Sequence, residues 1–131
     1  MKIFDGEQLI AIVRKIDEWK NGLDFVTSDE SFIQVGTWNY NAGKTLDRHE
    51  HNFYERTSNI TQECVFVVSG SMLVDFYSYD RVFIDRVTLE KFDYAVIFGG
   101  GHSYEILEDD TKIIETKNGP FPGVDLDKTR F

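Results

Sequence analysis

Cysteine, proline and histidine are scarce in this 131-residue chain: it has one cysteine, Cys64, two prolines, both near the end, and three histidines. A lone thiol cannot close an internal disulfide, which argues against a disulfide-stapled secreted scaffold. Basic side chains are outnumbered, 14 against 23 acidic ones, giving a formal net charge of −9. Nucleic acid and anionic membrane surfaces both require a basic face, so neither is an expected partner. No apolar run approaches the ~18 residues of a membrane span, and Met1 to Glu7 lacks the charged and apolar regions of a secretory signal. These absences lead to the expectation of a soluble, cytoplasmic protein. Its length suits one domain with a full hydrophobic core.

What is abundant is aromatic and β-branched. Aromatics make up 15% of the chain, and they fall in short runs that favour sheet over helix. Leu9 to Ile16 fits helical spacing as well as a strand buried on both faces, and we read it as a strand because the rest of the chain offers a sheet to join. From Ser31 onward the pattern is almost entirely β. Strand runs are expected over 32–40, 63–68, 71–77, 82–89, 94–98, 103–107 and 112–116, separated by turn residues such as Asn41-Ala42-Gly43, Ser69-Gly70 and Glu108-Asp109-Asp110. Such a series implies an all-β sandwich or barrel. We expect an N-terminal strand and loop over 1–30, a barrel over 31–117 and an irregular surface tail over 118–131.

The histidines fall at two places, His49 with His51, and His102 after Gly99-Gly100-Gly101. In a strand, residues two apart share a face, so His49 and His51 could aim both imidazoles at one point. Converging imidazoles suit a transition metal, and a third histidine with one carboxylate would complete four ligands. Glu55 and Glu63 are the two carboxylate candidates. Glu63 is preferred, because a strand returning antiparallel would place it opposite the histidines. Its face would be shared by Val65 and Val67, with Cys64, Phe66 and Val68 on the other side. Cys64 is then a packed, unreactive thiol.

Gly43 to His51, with five residues between the glycine and His-x-His, resembles the opening of the first cupin motif, and Glu63-x6-Gly70 resembles its second part. Leu89 to Phe98 followed by Gly101-His102 is similar to the second cupin motif. Eleven residues separate His51 from Glu63, so Asn52 to Gln62 forms an inserted loop. Segments such as Lys117-Asn118-Gly119-Pro120-Phe121 and Asp127-Lys128-Thr129-Arg130-Phe131 resemble a group of small bacterial cupins associated with surface-polysaccharide or nucleotide-sugar assembly.

The resemblance implies an all-β cupin double-stranded β-helix, or jelly roll, with one divalent transition metal (Fe, Mn, Ni, Cu or Zn) held by His49, His51, Glu63 and His102. It implies a metal-dependent enzyme acting on a small polar metabolite such as a sugar derivative, of isomerase or epimerase type. A non-catalytic sugar-binding or regulatory cupin and an Fe(II) dioxygenase are the alternatives. Tyr40, Tyr54 and Glu55 are candidates for moving a proton. Arg56 could grip an anionic ligand, though an ion pair with Glu55 is the plainer role, and Trp38 and Tyr104 could face a sugar ring. Trp38, Tyr40, Phe76, Phe98 and Tyr104 are otherwise core residues. A homodimer is expected from the N-terminal strand and the aromatic sheet faces.

Overall fold

Ten short strands account for most of the ordered backbone in the computed structural model, which describes residues 1–131. They are β1 (Lys2–Asp5), β2 (Gln8–Arg14), β3 (Gly22–Phe25), β4 (Gly36–Asn39), β5 (Glu63–Ser69), β6 (Met72–Tyr77), β7 (Phe83–Leu89), β8 (Tyr94–Ile97), β9 (Gly101–Ile106) and β10 (Lys112–Lys117). A 3-10 turn at Ile16–Glu18 and a one-turn helix, α1 (Val124–Asp127), complete the set. All strand pairings are antiparallel. Five strands form one sheet in the order β1-β2-β8-β5-β10, three form a second in the order β7-β6-β9, and β3 pairs only with β4. No helix is long and apolar enough to cross a membrane.

Strand periodicity explains how these pieces stack. Along β5, Val65 and Val67 enter the main core, while Cys64 and Phe66 belong to a second cluster on the other face. Along β8, Ala95 and Ile97 join the first, and Tyr94 and Val96 the second. The five-stranded sheet is therefore covered on both sides, which is why its central strands read as continuous apolar runs. Its first face packs against Met72, Val74, Phe76 and Leu89 of the three-stranded sheet. Its second face is covered by Ile33, Trp19, Val26 and Val35 from the region around β3 and β4. Leu9 to Ile16 is a strand over most of its length, as expected, because Ile10, Ala11, Ile12 and Val13 are all buried in the sheet.

The structure departs from the sequence reading at three places. The strand expected over 32–40 is confined to Gly36–Asn39; Ser31 turns on Ser28, and the Gln34 side-chain amide bonds the Ser28 and Ser31 carbonyls. His49 and His51 do not lie on a strand, since the backbone from Asn41 to Ser58 has no helix or strand. From Asp47 to Asn52 that segment is wholly polar or charged, so it carries no apolar face to dock on a sheet. Finally, the tail is not merely draped over the surface. It contains α1 and folds back to wall a cavity.

Candidate functional site

Glu63 opens β5 and is 4% exposed, an unusual depth for a carboxylate without a role. It faces the same side of the sheet as Val65 and Val67, and its neighbour across β8 is Ile97. β9 brings two polar side chains to it. His102 and Tyr104 are two residues apart on one face of that strand, with ring centroids 5.2 Å apart. His102 Nε2 lies 2.8 Å from Glu63 Oε1, and the Tyr104 hydroxyl donates to the same oxygen at 2.6 Å.

Electrostatics shift two members of this cluster in opposite directions. Burial alone pushes the Glu63 carboxyl up, but the close imidazole of His102 and the hydroxyl of Tyr104, with the charges of His102 and Lys128, outweigh it and bring the carboxyl down to about 2. Glu63 is thus ionised at neutral pH, with His102 Nε2 facing its Oε1 at hydrogen-bond distance. His102 Nδ1 is buried with no partner in the protein. Burial and the neighbouring negative charge of Glu63 push the Tyr104 phenol well above its ordinary range, so it serves as a donor and not as a base. Cys64, on the opposite face of β5, has its thiol pushed up to about 12 by burial and by Glu63, which removes it as a nucleophile.

Glu63 and His102 open into a cavity of about 670 Å³. Its walls come from Ser58 to Thr61 entering β5, Gly99 to His102 entering β9 and the tail from Asn118 to Phe131, with Tyr79 from the turn after β6 and Ile97 beside them. The tail is fastened by polar contacts. The Gln62 backbone N–H donates to Asn118 Oδ1 at 2.7 Å, Asn118 Nδ2 donates to Ser58 Oγ at 2.6 Å, and the Thr61 hydroxyl donates to Asp127 Oδ1 at 2.6 Å. The other oxygen, Asp127 Oδ2, is buried without a partner. At the far end the Phe131 ring stands edge-on to Tyr77 at 5.4 Å and covers Gly101 so closely that a Cβ there would meet it at 2.6 Å. Such a wall of hydroxyl, amide and carboxylate groups with two aromatic rings, Tyr79 and Phe131, suits a small hydroxylated ligand.

Gly100 sets the entry into β9. Its φ is +71°, and a Cβ would lie 2.5 Å from the Tyr77 carbonyl oxygen, a backbone atom that cannot swing away. Gly100→Ala is expected to cost about 2 kcal/mol or more from the left-handed backbone and the clash together. Urea denaturation checks this, and a variant as stable as the wild type would show that the turn relaxes freely.

The other residues singled out from the sequence are placed elsewhere. His49 and His51 are exposed, with ring centroids 5.5 Å apart, and His49 Nδ1 lies 3.0 Å from the Asp47 carbonyl. No group of three or more His, Cys, Asp or Glu side chains is gathered in metal-holding geometry. Tyr54 and Glu55 are exposed on the same irregular segment, and neither lines the cavity. Arg56 does not pair with Glu55; its guanidinium lies over the Tyr54 ring at 5.3 Å and donates to the Tyr54 carbonyl. Trp38 and Tyr40 stand edge to face on the β3–β4 ribbon, away from the cavity lining, and Phe76 is core. Sequence reasoning missed the cavity wall formed by Asn118, Asp127 and Phe131. Its only sequence signal was the tail pattern itself. Comparison with protein-family models, curated proteins and solved structures finds no match for the chain.

Proposed function

We propose that this protein is a small-ligand protein of cupin jelly-roll type, in which Glu63 and His102 are the buried half of a divalent transition-metal centre and His49 and His51 the other half. The observation that carries the reading is the Glu63–His102 pair, 2.8 Å apart on a carboxylate held ionised at the floor of a polar cavity. A carboxylate oxygen beside an imidazole nitrogen is a donor set suited to Fe, Mn, Ni, Cu or Zn. The residues as placed fit such an ion in part: two donors are together, and the other two are on a segment that enters the cavity wall seven positions after His51, at Ser58. Support for their recruitment comes from β9, the end strand of its sheet, which has one edge with no strand partner.

When bound, such a metal would supply Lewis-acid polarisation of a ligand oxygen. The chain's own groups do the rest. Tyr104 fixes the orientation of the Glu63 carboxylate by its 2.6 Å hydrogen bond, as outer groups commonly do for ligating carboxylates. Asp127, Asn118 and Thr61 offer hydrogen bonds to hydroxyl groups of a sugar-like metabolite. Isomerisation or epimerisation of such a ligand is the reaction we favour. One observation favours a second reading, non-catalytic ligand binding: Tyr40, Tyr54 and Glu55, the side chains expected to move a proton, are absent from the cavity lining.

Elemental analysis of the purified wild type beside His49→Ala and Glu63→Ala tests the centre. Near-stoichiometric metal in the wild type and at least about tenfold weaker retention in both variants is expected. Equal content in all three would remove the site.

A further inference from the structure

No strand pairing holds the tail beyond Asn118. Asn118 itself is fixed: its side chain bridges the Gln62 backbone and Ser58, and its backbone N–H donates to the Gln62 carbonyl. Farther along, α1 has no buried residue, and Leu126 is 82% exposed, so the helical turn packs no apolar side against the body. Past Phe121, whose ring receives the Lys117 ammonium at 4.5 Å, two contacts fasten the tail, one polar and one aromatic. The polar one is the hydrogen bond from Thr61 to Asp127. The aromatic one is the Phe131 ring, seated in the notch left by Gly101, with the Tyr77 ring edge-on and the Arg81 guanidinium 5.4 Å from its centroid. Thr61, Asp127, Gly101 and Phe131 all line the cavity of Glu63 and His102, so releasing the two fasteners opens that cavity.

We infer that residues 119–131 form a hinged lid, with its base at Asn118, whose opening admits ligand to Glu63 and His102. The fasteners are of a kind that lets go. Phe131 remains 62% exposed when seated, so unseating it uncovers little apolar area. Segments with few buried apolar contacts lie at the low end of local opening free energies, where lids are found. Closure without a ligand also leaves a group unsatisfied. Asp127 Oδ2 is out of water and has no partner in the protein, on the same side chain that makes the polar fastener. A buried acceptor without a donor carries a desolvation cost, which opening to water relieves. A ligand hydroxyl that donates to Asp127 Oδ2 relieves it with the lid shut, so binding favours closure. The hydroxylated ligand rests on the function proposed above; the lid itself requires no metal.

Carbethoxylation of histidines by diethyl pyrocarbonate, read by peptide mass spectrometry on the chelated full chain, tests the lid. The exposed His49 and His51 are internal references. In the wild type, His102 is expected to react at least about tenfold more slowly than either reference. Phe131→Ala should speed His102 at least about threefold, with the reference rates and far-UV circular dichroism unchanged. Gly101→Ala is a second variant that keeps the tail whole and unseats the ring, because the added Cβ would meet Phe131 at 2.6 Å. Should both variants misfold, urea decides the matter in the unmutated chain. Local opening keeps the His102 rate nearly constant below the unfolding transition, whereas exposure by global unfolding makes it climb steeply. A steep climb overturns the lid, as does a His102 that reacts as fast as His49 in the wild type or responds to neither substitution. Because no metal is present in this labelling, its failure is separate from a failure of metal retention.

Discussion

Between pH 4.5 and pH 2, the metal-free protein is expected to lose about 3 kcal/mol of stability that Glu63→Gln does not lose. The folded-state carboxyl is depressed from an ordinary 4.5 to about 2. A depressed acid stabilises the fold above its unfolded value, and that contribution fades as pH falls toward the folded value. Burial works against the ionised form, so the stabilisation comes from His102 at 2.8 Å and Tyr104 at 2.6 Å. Urea titrations of both proteins at stepped pH measure the difference directly. Parallel loss of stability in the two would mean that Glu63 is not held by its neighbours. At neutral pH the variant should be the less stable one, because an uncharged amide replaces the buried carboxylate that His102 and Tyr104 contact.

Phe76→Ala should be the most destabilising single truncation in the core, costing about 3–5 kcal/mol. Phe76 is 1% exposed and lies between the two main sheets with Val74, Met72 and Val65. It is the largest of the fully buried side chains, so its loss leaves the largest void. Against a typical total of about 5–15 kcal/mol, that is a major fraction. Phe76 is also the direct β6 partner of His102 on β9. The variant should therefore loosen His102 as well as the fold, which metal retention at permissive temperature would register. A cost below about 1 kcal/mol would contradict close packing at this position.

The sequence made some features plain for a physical reason. Alternation along Glu63 to Val68 separates Val65 and Val67 from Cys64 and Phe66, and the structure divides them between two clusters in that way. The all-β character was legible from aromatic and β-branched content, and the strand at Leu9 to Ile16 from the sheet that content offered it. Other features could not be read. Alternation defines two faces but not which is inward, so the setting of the β3–β4 ribbon, with Asp24 inside and Phe25 outside, was hidden. The His-x-His spacing aims two rings together only on a strand, and the polar stretch around it supplies no force to make one. The tail has two prolines and no periodicity, so its return to the cavity rests on individual contacts such as Thr61 with Asp127.

The order of strands in the larger sheet has a consequence for synthesis. β2 is buried along Ile10 to Val13, yet it lies between β1 and β8, and β8 ends at Ile97. A ribosome therefore releases β2, with its four buried apolar residues, long before its second partner, β8, emerges. Non-local pairing of this kind slows folding and lengthens the time that such a strand stands bare. The early hairpin of β1 and β2 is thus where nascent chains should first meet a chaperone.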